Sequence, residues 1–339
     1  MLFELRGVEL GERLRGVTLR IDAGVTAILG YSGAGKTSLL SLLAGFERPT
    51  AGCIERGGQL GGGGALPCYW VPQSGGLWSH VSVRGHVELV SAGKADEILR
   101  LFDLWERRGA YPGELSQGER SRLSVVRALS SGARVLLMDE PLAHVDPVRK
   151  PGYWQHLERQ LRGCGVSLVF SCHEPGVVLR HAERVVCLRE GRVWHESGVQ
   201  ELYEGAPEKP LGEFLGPLNW LDVSLLKALG MCDGWLLEAA ERRGGLCVRP
   251  ERLYLRGCQS GAVLSGAVQS GGGSRVCGGL LEVLSSREAG GLRETVVAGV
   301  CGGEWRLLHV GAGGGAGSGG WRAGERVIVE VLPGEGVRV

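Results

Sequence analysis

The strongest chemical signal in this chain is a run of eight residues. Gly30-Tyr31-Ser32-Gly33-Ala34-Gly35-Lys36-Thr37 fits the spacing GxxxxGK[ST], and Ser38 follows directly. A glycine-rich turn of this kind presents successive backbone N–H groups to phosphate oxygens, and a helix opening at its end adds a favourable dipole. Lys36 then reaches the outer phosphates, and the Thr37 hydroxyl is placed for Mg²⁺. A chance match in a chain with 59 glycines is the plain competing reading. The flanks argue against it. An apolar run, Val25 to Leu29, leads into the loop, and a leucine-rich, helix-like stretch, Thr37 to Ala44, leaves it.

A second group of reactive residues sits in Val135-Leu136-Leu137-Met138-Asp139-Glu140-Pro141. Four apolar residues bury a strand, and Asp139 emerges where a carboxylate can hold the Mg²⁺ shell. Glu140 is placed to orient and deprotonate an attacking water. By itself such a run is a plain strand end; beside a phosphate loop the chemical reading is favoured. A third apolar run, Val166 to Cys172, ends on His173.

These runs need a scaffold that brings their ends together. Residues 1 to about 205 alternate short apolar runs with amphipathic stretches, the pattern of an α/β domain around a buried parallel sheet. In such sheets ligands bind outside the carboxyl ends of the strands. Val185 to Leu188 and Val193-Trp194 read as a hairpin that closes the domain. Residues 205–217, rich in Pro, Gly and charge, mark a boundary. Residues 218–245 look partly helical. From Leu246 the signals are short strands: Leu246 to Val248, Leu253 to Leu255, Gly279 to Val283, Glu294 to Val300, Trp305 to Val310 and Arg326 to Val331. The expected organisation is a cassette over 1–205, a linker and helical connection over 206–245, and a small all-β, OB-like barrel over 246–339. Glycine runs at 61–64, 271–273 and 311–320 read as loops, the last inside a hairpin.

At Leu115-Ser116-Gln117-Gly118-Glu119 the sequence resembles the signature motif of the ABC ATPases, with Gln at its third place and Glu at its fifth. A hydroxyl and bare N–H groups at a helix start make a second anion cradle. One ATP needs one phosphate loop, so a second cradle points to two subunits sandwiching each nucleotide. The resemblance implies that Ser116 and Gly118 contact the γ-phosphate held by a second copy. It also implies a Q-loop role for Gln73, on Mg²⁺ and water, a D-loop role for Asp146, and a γ-phosphate contact for His173. His144 and Val145 replace the more usual Ser and Leu before Asp146. The implied fold is a P-loop NTPase of the ABC type with a helical signature subdomain, and the implied ligands are ATP and Mg²⁺. Cassettes of this family usually carry an adenine-stacking aromatic upstream of the phosphate loop. Residues 5–15 contain none and Phe3 is early, which leaves the guanidinium of Arg13 or Arg15.

Within the family, Gly24 to Gly30 and Ser32 to Leu39 resemble the molybdate importers, as do Val83-Arg84-Gly85 and Pro147-Val148-Arg149-Lys150. The C-terminal strands, opened by Val248-Arg249-Pro250-Glu251-Arg252, resemble their accessory (TOBE or Mop) domains. This implies transmembrane permease subunits and a solute-binding protein as partners, a place on the cytoplasmic face of the membrane, and an oxyanion at the C-terminal domain. Sulfate, polyamine and sugar importers share the architecture. ABC ATPases of DNA repair and translation usually have paired cassettes or long coiled-coil insertions, and an oxyanion regulator with a dead cassette would lack the intact Lys36, Asp139, Glu140 and His173.

Composition agrees with this class. The net charge is +1, with 43% apolar and 22% charged residues, which points away from a nucleic-acid partner. No run approaches a membrane span, and the N-terminus lacks the pattern of a secretory signal. The ten cysteines form no CxxC pair, so free thiols are expected, with Cys187 a small buried hydrophobe.

Overall fold

A computed structural model describes residues 1–58, 67–91, 95–229, 234–257, 275–289, 292–299, 304–309 and 326–331. The chain divides into two compact units, Met1–Val199 and Gln200–Val339. Residues of all three long glycine runs lie outside the described residues.

The first unit begins with an antiparallel sheet for which the sequence reading assigned no strands: β1 (Phe3–Leu10), β2 (Leu14–Ile21) and β4 (Ala51–Arg56), in the order β2-β1-β4. Its apolar pattern changes phase partway. Phe3 and Leu5 face the core, then Val8 and Leu10, because the β1–β2 register shifts between Leu5 and Val8. A bulge of this kind breaks the strict alternation by which half-buried strands are recognised.

Continuous apolar runs instead become the main sheet, in the order β5-β6-β7-β3-β8-β9. Its strands are β3 (Val25–Gly30), β5 (Cys68–Val71), β6 (Val135–Asp139), β7 (Ser167–Cys172), β8 (Arg184–Arg189) and β9 (Arg192–Gly198). The first five neighbours in that order run parallel, and β9 pairs antiparallel with β8. Every residue of β6 and β7 is buried, as expected where a parallel sheet is covered on both faces. Helix α1 (Lys36–Ala44) packs on β6 and β7, and its Leu39, Leu40, Leu42 and Leu43 join the core that also takes the β1 and β2 side chains. Cys187 lies 1% exposed in β8, where burial pushes its thiol to about 12.

A helical segment follows β5, with α2 (Val83–Glu88), α3 (Ala95–Leu101) and α4 (Gln117–Ser130) in mutual contact. Ser116 caps α4 and Glu119 completes a reciprocal capping box, so the signature turn owes its shape to local hydrogen bonds. Helices α5 (Lys150–Cys164) and α6 (Pro175–His181) complete the helices of the first unit, and α7 (Val199–Glu204) begins at its last residue. Among the described residues, no helix is long and apolar enough to cross a membrane.

In the second unit, the segment expected as a linker and helical connection contains both helices and a strand. It carries α8 (Lys209–Leu215), β10 (Asn219–Leu221), α9 (Val223–Ala228) and α10 (Gly234–Arg243), and β10 pairs with β11 (Leu246–Val248). Leu221, Leu225, Leu226 and Leu229, the crowded apolar residues of that segment, form a core with Leu253, Val297, Leu307 and Val327. The antiparallel sheet beyond has the order β12-β16-β13-β14-β15, from β12 (Leu253–Gly257), β13 (Arg275–Ala289), β14 (Leu292–Gly299), β15 (Glu304–His309) and β16 (Arg326–Val331). Its edge strands β12 and β15 approach one another. Asn219 ties the helical part to this sheet, donating to the Leu308 carbonyl and accepting its N–H, both at 2.7 Å.

Candidate active site

Four adjacent parallel strands end at one edge of the main sheet, and each delivers a group there. Gly30 ends β3, Asp139 ends β6, His173 follows β7, and Gln73 stands two residues beyond β5. Between β3 and α1 the chain makes the phosphate loop. Gly35 sits at φ 102°, and a Cβ there would lie 2.9 Å from the Arg13 carbonyl oxygen and 2.8 Å from Leu14. Glycine is therefore required twice over, by conformation and by space.

Lys36 is 7% exposed, and its Nζ donates to the Gly30 and Tyr31 carbonyls at 2.9 and 3.0 Å. The loop thus holds its own ammonium at its centre. Thr37 Oγ1 donates to Asp139 Oδ2 at 2.7 Å, and Asp139 Oδ1 accepts from the Ser171 hydroxyl. Ser171 Oγ in turn accepts the Glu140 N–H at 2.9 Å. That bond supports a strained residue, since Glu140 has φ 51°, a left-handed conformation costing roughly 1–3 kcal/mol in a non-glycine residue. The strain turns the carboxylate toward two partners: His173 Nδ1 at 2.9 Å from Oε1, and Gln73 Nε2 donating to Oε2 at 3.4 Å.

These groups surround a cavity of about 540 Å³ lined by Arg13, Ser32, Gly33, Gly35, Lys36, Thr37, Ser38, Gln73, Glu140 and His173. Gly30 and Ala34 shape the loop from behind: a Cβ on Gly30 would strike the Leu188 carbonyl, and Ala34 is 4% exposed. Ser171 was not singled out in the sequence. Its signal is a hydroxyl that directly follows the apolar Leu168, Val169 and Phe170 of β7. Of the two arginines considered for the missing aromatic, Arg13 lines the cavity, paired with Glu47 and 3.4 Å from Ser38 Oγ, whereas Arg15 is not among the lining residues. Phe3 is fully buried in β1.

Ser116, Gly118 and Asp146 do not line this cavity. Gly118 lies against the backbone before Asp146, where a Cβ would come within 3.0 Å of the His144 carbonyl oxygen. Asp146 Oδ1 accepts the Val148 N–H at 2.9 Å and turns the chain into α5.

The turn after Gln73 is held from α4, where Arg127 donates to the Gly76 and Gly75 carbonyls at 2.8 and 3.2 Å. His86 holds the next stretch. Its Nε2 accepts the Trp78 N–H at 2.9 Å, and its Nδ1 lies 2.8 Å from the Ser82 carbonyl, which fixes the neutral ring with the proton on Nδ1. Burial lowers its pKa below the usual 6.5; the Ser82 carbonyl opposes this, and the charges of Arg127 and His80 add to it. The unfolded chain therefore takes this proton first, and stability is lost as pH falls from 6.5 through the folded value. Calorimetry at neutral and mildly acidic pH should show a larger fall in Tm for the wild type than for His86→Gln, whose amide carries no titrating charge. Equal falls would place the acid sensitivity elsewhere.

Phosphate loop, strand-end carboxylates and parallel sheet together define a P-loop nucleoside triphosphatase. The ABC transporter family model matches residues 14–143. The chain is 31% identical over 259 residues to the Fe(3+) ions import ATP-binding protein of Pseudomonas fluorescens Pf-5, covering 70% of this chain and 73% of that protein. It is 31% identical to a spermidine/putrescine import ATP-binding protein of Pseudomonas aeruginosa PAO1, over 72% of this chain and 74% of that one. To a molybdenum import ATP-binding protein of Azotobacter vinelandii it is 38% identical, over 53% of this chain and 54% of that one. Among solved structures, an ATP-binding cassette determined as a dimer in a post-hydrolysis state with ADP and Pi shares the fold (TM-score 0.51, 23% identity, 58% of this chain and 99% of that one). The chain belongs to the ABC transporter family, among the ATP-binding subunits of import systems. Such subunits hydrolyse ATP, and the chain is an ATPase of this kind.

Proposed function

We propose that this chain powers a membrane importer from the cytoplasmic face, paired with a second copy of itself and docked on transmembrane permease subunits that receive solute from a binding protein. The observation that carries the ATPase part of this reading is the gathering of Lys36, Thr37, Gln73, Glu140 and His173 around one cavity, with Asp139 bonded to Thr37. On ATP binding, Lys36 exchanges its two carbonyl partners for phosphate oxygens, and the N–H groups of 33–38 wrap the rest. Thr37 Oγ1 and Asp139 Oδ2 are hard oxygen donors already adjacent, a set that suits Mg²⁺, with Gln73 as a further oxygen ligand. Bound there, the ion offsets the phosphate charge. Glu140 orients a water and takes its proton as the water oxygen bonds to the γ-phosphorus and the bond to the β–γ bridging oxygen breaks. His173 and Gln73 position that carboxylate. Ser116 and Gly118 lie away from this cavity, which supports a role on the partner copy's γ-phosphate, with Asp146 beside them.

For the solute we infer an oxyanion, molybdate or tungstate, with the second unit as a barrel-like regulatory module. Support comes from the loop sequence Gly24 to Leu39 and from the 38% identity to the molybdenum import protein. A second reading has its own support: the iron and polyamine relatives match over 70% and 72% of this chain, against 53% for the molybdenum one. Calorimetric titration of the full chain with molybdate, tungstate, sulfate, ferric citrate and spermidine separates them. Saturable binding of molybdate or tungstate but not sulfate is expected. No oxyanion binding by the folded protein would make the second unit a structural or partner-binding module.

A further inference from the structure

Ser116 and Glu119 are locked to one another at the start of α4. Glu119 Oε2 accepts from the Ser116 N–H and from the Ser116 hydroxyl, both at 2.8 Å, while Ser116 Oγ accepts the Glu119 N–H at 3.2 Å. The other carboxylate oxygen faces Arg107 Nε at 3.3 Å. Burial works against the charge on Glu119, yet the Ser116 bonds and Arg107 outweigh it and hold the carboxyl below its ordinary range. Its side chain is 16% exposed, so solvent screens it only in part.

A serine hydroxyl has one proton to donate, and in this structure it goes to Glu119. A phosphate oxygen arriving on a second copy's nucleotide therefore meets a hydroxyl already committed. Just behind that hydroxyl stands a like charge. Both effects oppose docking of the phosphate, and Arg107 offsets part of the second. The backbone N–H of Gly118 and the start of α4 attract the same phosphate, so Glu119 subtracts from an otherwise favourable cradle.

Resting on the two-copy reading above, we propose that Glu119 is a brake on ATP-driven pairing: it holds the Ser116 hydroxyl until a nucleotide phosphate displaces it, and so sets the ATP concentration at which two copies close. Glu119 acts here as a positioning residue, through Ser116. Glutamine at 119 keeps an oxygen acceptor for both Ser116 donors, so the cap survives while the charge is removed. Arg107 is 56% exposed, and its replacement does not endanger the fold.

The test is an ATP titration of Glu140→Gln, Glu140→Gln/Glu119→Gln and Glu140→Gln/Arg107→Gln, with dimer followed by light scattering and Tm measured for each. Glu119→Gln should lower the ATP needed for half-maximal dimer by roughly fivefold or more, and Arg107→Gln should raise it by roughly twofold. A purely structural cap would change Tm and leave the midpoint in place, which overturns the brake. So does an unchanged midpoint in both double variants when Glu140→Gln itself pairs with ATP; the two-copy reading then stands without it. If none of the three proteins pairs with ATP, the two-copy reading falls and takes the brake with it.

Discussion

Lys36→Ala should reduce ATP turnover to ~1% of wild type or less, the scale expected when a preorganised charged donor to a developing negative charge is removed. Lys36 is the cation at the centre of the phosphate loop, with its Nζ 2.9 and 3.0 Å from the Gly30 and Tyr31 carbonyls. Truncation takes away the charge that faces the outer phosphates. It also leaves those two carbonyl oxygens turned toward the same phosphates, an added repulsion. The loop itself should persist, because Gly35, Ala34 and Thr37 keep their own partners in the backbone and at Asp139. Phosphate-release kinetics on the folded variant measure the loss directly. Wild-type turnover would mean that hydrolysis does not use this loop.

Glu140→Gln should bind ATP and stall as a dimer. Glutamine is nearly isosteric with glutamate and keeps an oxygen to accept from Gln73, so the strained turn at φ 51° and its bond to Ser171 are retained. What is lost is the charge that, in the proposed mechanism, orients water and accepts its proton, a contribution typically worth ~10²–10⁴-fold in rate. On the proposed two-copy reading, each unspent γ-phosphate should remain bridged between Lys36 of one copy and Ser116 and Gly118 of the other. Size-exclusion chromatography should show a dimer with ATP and monomer with ADP. Adding Ser116→Arg should dissolve the dimer by filling the second cradle. A dimer indifferent to nucleotide and to Ser116 would place the contact between copies elsewhere.

The site was legible in the sequence wherever a reactive residue ends a buried apolar run. Gly30, Asp139 and His173 all do so, and a parallel sheet converts shared sequence position into shared location. Ser171 escaped because its value depends on β7 lying beside β6, a non-local pairing that no residue spacing reports. The choice between Arg13 and Arg15 escaped for a related reason: two residues apart on a strand entry, they differ only in which reaches the cavity. The opening sheet was hidden by the phase change at its bulge. Pro, Gly and charge marked only residues 205–217, and the partly helical look of 218–245 did not say that Leu225, Leu226 and Leu229 join a core with Leu253, Val297, Leu307 and Val327, a set of contacts distant in sequence.

The strand order also fixes a length. Gln73, Glu140, His173 and the phosphate loop stand at the ends of β5, β6, β7 and β3, four neighbours in one sheet. Adjacent strands lie about 4.8 Å apart, so the four strand ends that carry these groups are spaced along a span of about 14 Å by backbone hydrogen bonds. No side chain sets that interval. Changes in the apolar runs can loosen or tighten the packing around the strands, but the interval between the strand that ends at the phosphate loop and the strand that ends before Glu140 is set by the main chain. Strand order thus sets the spacing, so substitutions in the buried runs that keep the pairing leave these strand ends at the same interval.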